Sequence, residues 1–134
     1  MIKATCKYIS IAEVPDLESV EPYKKIVNPL DYDFCFKRGA SYDIFGILRF
    51  SEILRLYIIA DNEIDTAPAV LFECDWSKLP SHWRLRSGKP NAENFEILPE
   101  KLSLVDDWFE KYIDEDPEVL KLVNAEIDFI RNNT

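Results

Sequence analysis

The chain has 134 residues, enough for one domain with a sizeable core. Hydrophobic residues at 47% and aromatics at 13% exclude a disordered chain. The formal net charge of −9, from 25 acidic and 16 basic residues, argues against nucleic acid as a direct partner, because phosphate repels an acidic surface. The same charge suits a basic protein partner, although acidity also serves solubility alone.

Cys6, Cys35 and Cys74 are odd in number and widely spaced, which fits a reducing cytoplasm better than a disulfide framework. The first residues alternate in polarity and lack the continuous apolar stretch of a signal peptide. Nothing approaches the roughly 18 apolar residues of a membrane-spanning helix.

In chain order, Ile2, Ala4, Cys6 and Tyr8 alternate with Lys3, Thr5 and Lys7, the period of a half-buried strand. Residues 13–30 contain Pro15, Pro22 and Pro29, which remove backbone donors, so a surface connection is expected there. Residues 31–37 (DYDFCFK) alternate again and predict a second strand, with Gly39 in the turn that follows. Residues 42–76 hold the densest apolar content. Three runs of strand length within them, 42–50, 54–60 and 68–76, predict a three-stranded antiparallel meander at the core. In the first run, Tyr42, Ile44, Gly46, Leu48 and Phe50 would share one face and Phe45 and Ile47 the other, so this strand should be covered on both sides. Residues 61–66 (DNEIDT) are expected as a polar turn. A helix over 51–61 is the competing reading of the second run, and the β-branched and aromatic density favours strand.

Residues 77–92 carry Lys78, Arg84, Arg86 and Lys89 and no acid. A short strand at 83–86 would turn Trp83 and Leu85 inward, 87–90 have turn chemistry, and 95–98 predict a last strand. Beyond them, Leu104, Val105, Trp108, Phe109, Tyr112 and Ile113 repeat at helical spacing, with Ser103 as the expected N-cap. A second helix should start at Pro117 after Asp116, burying Leu120, Val123, Ile127 and Ile130. The expected architecture is α+β: residues 1–98 mainly strand, in an antiparallel, strongly curved or SH3-like sheet, with two helices from 99–134 packed on it.

Chemical motifs are scarce. His82 is the only histidine; it could act as a general base with Glu73 or Asp75, or be simply a turn histidine in a basic loop. One histidine and three dispersed cysteines do not make a metal site, and three glycines cannot build a phosphate loop. No cofactor and no catalytic residues are therefore expected. The acidic runs would face water opposite the apolar stripe.

One asymmetry stands out. Residues 103–134 hold nine acids and three bases, a formal −6 of the chain's −9. A concentrated negative field steers a basic partner. The candidate partner-binding residues are Asp106, Asp107, Glu110, Asp114, Glu115 and Asp116.

Residues 37–46 (KRGASYDIFG) resemble the K-x-G-x-x-Y-x-hydrophobic-x-G opening of small bacterial SH3-like β-barrels, and LRLYIIAD and PAVLFECDW look like its continuation. The likeness covers roughly residues 34–83. The general make-up is similar to the immunity proteins of bacterial toxin systems, including contact-dependent growth inhibition. That resemblance implies a barrel-like or strongly bent sheet and a non-enzymatic inhibitor, acting as a cytoplasmic monomer on a basic, nuclease-like toxin domain. It names no site residue. A structural or adaptor subunit binding through residues 77–92 is the alternative, and a small hydrolase using His82 a third.

Overall fold

The computed structural model describes residues 2–87 and 94–133. Seven strands form one antiparallel sheet: β1 (Lys3–Cys6), β2 (Ser41–Phe50), β3 (Ile53–Ala60), β4 (Glu63–Pro68), β5 (Phe72–Cys74), β6 (Trp83–Arg86) and β7 (Phe95–Pro99). The four helices are α1 (Leu17–Val20), α2 (Glu100–Ser103), α3 (Trp108–Ile113) and α4 (Pro117–Asn132). The strand order is β4-β3-β2-β1-β5, with β7 also pairing β2 and carrying β6 outside it, so the sheet does not close. None of the described helices is long and apolar enough to cross a membrane.

The meander forms, but one strand earlier than its apolar density suggests. Ser51 and Glu52 (φ 53° and 68°) turn β2 into β3, and Asp61 and Asn62 (φ 49° and 67°) turn β3 into β4. Both are two-residue hairpin turns with positive φ throughout, the form that matches strand twist. The expected polar turn at 61–66 therefore contributes most of β4. The strand was hidden because β4 lies at a sheet edge, where Glu63 and Asp65 face solvent while Ile64 joins the core on the helical side and Ala67 the core on the other. The expected third run is split: Pro68 ends β4, residues 69–71 form a 3₁₀ turn, and β5 pairs with β1.

β2 pairs with β3 along its length, with β1 at residues 41–43 and with β7 at residues 47–49. Between these halves Phe45 is a bulge, since Ile44 faces Ile58 while Gly46 faces Tyr57. The extra residue corrects the simple alternation. Ile44 and Ile47 point to the same side, with Ile2, Ala4, Cys6, Leu56 and Ile58, while Phe45 and Leu48 point to the other. Both faces are covered as expected.

The helices cover one face. Leu102, Trp108, Val119, Val123, Ile127 and Ile130 pack on Phe45, Tyr57, Ile59, Ile64 and Leu98. Each such side chain, fully buried, is worth about 1.5–3 kcal/mol. The proline-rich segment closes the opposite side and is more than a surface connection. Ile11, Val14, Val20 and Tyr23 bury against Ile53 and Leu71, and the Tyr23 hydroxyl donates to the Leu54 carbonyl at 2.7 Å. Residues 31–37 are not a strand. Asp33 Oδ1 accepts from Cys35 N at 2.7 Å and holds Cys35 at φ 66°, breaking the ladder geometry while leaving Phe36 buried. On β6, Trp83 is inward but Leu85 is 67% exposed.

The first C-terminal helix is also interrupted. Ser103 lies inside α2, donating to Glu100 O at 2.5 Å, and does not cap a helix. Leu104 is 81% exposed, and Asp107 takes a left-handed conformation (φ 53°) before α3 begins. α4 starts as expected: Asp116 Oδ1 accepts from Glu118 N at 3.0 Å and Val119 N at 3.2 Å, followed by Pro117 as first residue. Its buried stripe begins at Val119, with Leu120 only partly buried.

Gly46 has a steric reason for being glycine. A Cβ there would lie 2.8 Å from Leu98 Cδ2 and 2.9 Å from the Ile97 carbonyl oxygen, a backbone atom that cannot rotate away. Gly46→Ala should lower unfolding stability by about 1–3 kcal/mol in urea titrations. Ser51 and Glu52, in contrast, have no conformational excuse for positive φ. Replacing them by Asn-Gly should raise stability by about 1 kcal/mol in the same assay.

Candidate functional site

The six carboxylates singled out from the sequence are not equivalent. Asp106 is bound by the Arg86 guanidinium, which also donates to the Val105 carbonyl. Asp116 is consumed as the cap of α4. Asp107 and Glu110 line a cavity of about 440 Å³ between α3, β2 and β7. Glu110, Asp114 and Glu115 are exposed, and among the described residues none of these three side chains makes an ion pair. Glu110 lies in the first turn of α3, Asp114 at its C-cap and Glu115 just beyond it. The structure thus gathers four of the six around α3 and its cavity and puts the other two to internal use.

Sequence reasoning missed the residue at the wall of that cavity, Glu96. Its Oε2 accepts from the Tyr57 hydroxyl at 2.6 Å and from Trp108 Nε1 at 3.1 Å. Trp108 is itself 1% exposed, stacked on Phe45 (ring centroids 5.5 Å) and edge-on to Tyr57 (4.9 Å). Burial, and then the neighbouring carboxylate, push the Tyr57 hydroxyl pKa far above its ordinary value, so it stays a donor. The one signal in the sequence was an acid inside the apolar run FEIL of β7. Nothing local indicates that Tyr57 and Trp108 converge on it, because those partners lie 39 and 12 residues away.

The cavity sets carboxylates beside aromatic rings. Glu96, Asp107 and Glu110 line a cavity whose walls include Phe50, Phe95, Trp108 and Phe109. A carboxylate beside aromatic faces is the environment that receives a guanidinium or ammonium group. Arg49 and Arg86 also line the cavity, so its charge is mixed.

The His82 reading is overturned in its partners. His82 Nε2 lies 2.5 Å from Glu126 Oε1 of α4, with Phe129 edge-on at 5.1 Å, and neither Glu73 nor Asp75 reaches it. Glu73 pairs with Lys7 at 3.1 Å, and Asp75 accepts from Ser77 N at 3.1 Å, capping the turn Trp76–Lys78. His82 and Glu126 tie the β5–β6 connection to α4. Among the described residues no three His, Cys, Asp or Glu side chains are grouped to hold a metal ion.

The basic stretch is largely neutralised within the molecule. Lys78 pairs with Asp75 at 3.7 Å, Arg84 with Glu100 at 3.9 Å, and Arg86 with Asp106. Residues 88–92 of that stretch, including Lys89 and the expected turn at Gly88 and Pro90, lie outside the described residues. The three cysteines are free, with Cys6 buried, Cys35 exposed and Cys74 between. Burial raises the Cys6 thiol, and burial with the Glu73 charge pushes Cys74 up to about 11.

Comparison with protein-family models, with curated proteins and with solved structures found no match to this chain.

Two outcomes test this geometry. Glu96→Ala leaves the Tyr57 hydroxyl and the Trp108 N–H without their acceptor. It should cost about 1–3 kcal/mol in chemical denaturation, and Glu96→Gln, which keeps an acceptor oxygen, should cost less. Iodoacetamide at pH 8 should label Cys35 well before Cys74 and Cys6, as read by peptide mass spectrometry, because the last two are protonated or covered.

Proposed function

We propose that this protein is a non-enzymatic binding protein, an immunity-type inhibitor that neutralises a basic, nuclease-like toxin domain. One observation carries the reading: Glu110 on α3 and Asp114 and Glu115 at its C-terminal end are exposed without an ion-pair partner among the described residues, beside a cavity that Asp107 and Glu96 also line. A carboxylate row without internal partners speeds association with a cationic surface. The aromatic cavity beside it offers the kind of buried anchor that carries most of the energy of an interface. On this reading Asp107, Glu110, Asp114 and Glu115 make the direct contacts. Asp106 and Asp116 add only to the field, being held by Arg86 and by the α4 N-terminus.

The resemblance to toxin-immunity proteins supports the same direction. The Phe45 bulge, with β2 passing from β1 to β7, supports a strongly curved, SH3-like reading of the sheet. Three free cysteines suit a reducing cytoplasm, where on this reading the protein acts as a monomer. The adaptor reading loses its motivation where Lys78, Arg84 and Arg86 have acidic partners in their own chain. The hydrolase reading loses the acid–base pair on which it was built.

The decisive measurement is co-expression with the product of each gene adjacent to this one, scored first for toxicity when expressed alone. Growth should be restored, and a stoichiometric complex should co-purify and weaken as salt rises. Glu110→Lys with Asp114→Lys should weaken the complex by about ten-fold or more without loss of fold. Protection without a complex would sink the proposal, and an unaltered affinity in the double variant would remove the acidic face from it.

A further inference from the structure

A second cavity, of about 320 Å³, lies between the proline-rich segment and the β3–β4 hairpin. Its walls are apolar and aromatic: Tyr23, Tyr32 and Phe34 line it, with Tyr32 edge-on to Phe34 at a centroid distance of 4.9 Å. Among the charged residues only Arg55 contributes to its lining. That is unexpected in a chain with 25 acids and 16 bases. The α3 cavity, by contrast, is lined by three carboxylates and two arginines.

Arg55 is partly buried on β3, between its neighbours Leu54 and Leu56. Among the described residues its guanidinium has no hydrogen-bond or ion-pair partner. The side chains of Asn28 and Thr66, which line the same cavity, likewise make no hydrogen bond to another described residue. The Tyr23 hydroxyl is already used, donating to Leu54 O at 2.7 Å, so it is a wall and not a ligand donor. Arg55 and Thr66 are partly buried and Asn28 is exposed, so three donors without a protein acceptor stand beside an apolar wall where a ligand's acceptor can meet them.

We propose that this cavity is a binding site for a small organic carboxylate with an aromatic or branched apolar body. The carboxylate is received by Arg55, with Thr66 and Asn28 donating beside it, and the body packs against Tyr32 and Phe34. A guanidinium fork matches a carboxylate bidentately, whereas a phosphate dianion would call for more than one cation. The size agrees: 320 Å³ is about ten water volumes at ~30 Å³ each, the lower end of small-molecule sites. The rim is reachable from solvent, since Ile26 and Tyr32 are 46% and 53% exposed. This site is independent of the acidic face on α3.

The test is an amide-resolved NMR titration of the whole chain with phenylacetate and, separately, with uncharged phenylacetamide. Phenylacetate should bind saturably with a Kd of about 1 mM or tighter, moving the amide signals of Asn28, Tyr32, Arg55 and Thr66. Phenylacetamide should bind about ten-fold more weakly, and Arg55→Met should lose about ten- to hundred-fold in affinity while keeping a dispersed spectrum. Tyr32→Ala alters a half-exposed side chain, so its fold should be retained, and it should lose about five-fold. The proposal is overturned by any of four results: no saturable shift at about 10 mM phenylacetate, equal binding of acid and amide, wild-type affinity in Arg55→Met, or wild-type affinity in Tyr32→Ala.

Discussion

The fold depends on one local irregularity, the bulge at Phe45 followed by Gly46. β2 has to serve three partners, β3 on one edge and β1 then β7 on the other. A regular strand would hold one direction and one alternation throughout. The extra residue lets the strand change partners, and it turns Phe45 to the helical side while Ile44 and Ile47 stay together on the opposite side. Gly46 then lets β7 approach until no Cβ would fit between it and Ile97 O. β7 brings with it Glu96 and, through Pro99, the start of α2. The position of the helices therefore follows from the bulge.

The second constraint is the polar link from sheet to helices. Glu96 on β7, Tyr57 on β3 and Trp108 on α3 share one carboxylate oxygen. A satisfied polar network in a poorly solvated place admits few alternative arrangements, because each lost bond leaves a donor or acceptor unpaired. Arg86 adds a third tether by reaching the Val105 carbonyl at the break between α2 and α3. These contacts explain why residues with continuous helical spacing do not form one continuous helix. Trp108 can reach Glu96 only after the chain has turned through the left-handed Asp107.

What was legible in the sequence and what was not divide along physical lines. β1, β2, β3, β6, β7 and α4 could be read because their signals are local: alternation, turn residues, a cap and a proline at the right offset. β4 could not, since an edge strand carries its charges outward and Asp61, Asn62, Glu63 and Asp65 look like a loop. The alternation of residues 31–37 was real, with Phe36 inward, yet the backbone of Cys35 is left-handed and pairs with nothing in a ladder. The bulge was invisible, because one extra residue changes no composition. At the candidate site, Asp107 and Glu110 were reachable from charge density alone. Glu96 was not, because its meaning comes from Tyr57 and Trp108 folded against it, and the same holds for Glu126 as the partner of His82.

Charge counting also overstated the acidic face, and the reason bears on how such a face works. α3 has six residues, well below the roughly 12–15 at which an isolated helix becomes even marginally stable. It persists because its other side is clamped. Trp108 is buried against Phe45 and Tyr57, Phe109 packs on Tyr57 at 5.3 Å, and the Tyr112 oxygen accepts from Ile64 N at 3.0 Å on the β4 edge. Glu110 on α3 and Asp114 at its C-cap are held four residues apart by a segment the sheet keeps in place, so little backbone entropy remains to be lost when a partner meets them. Longer, flexible acidic segments have the same charge and lack that preorganisation. The apolar strands that looked like inert scaffold thus determine the stiffness of the surface outside them.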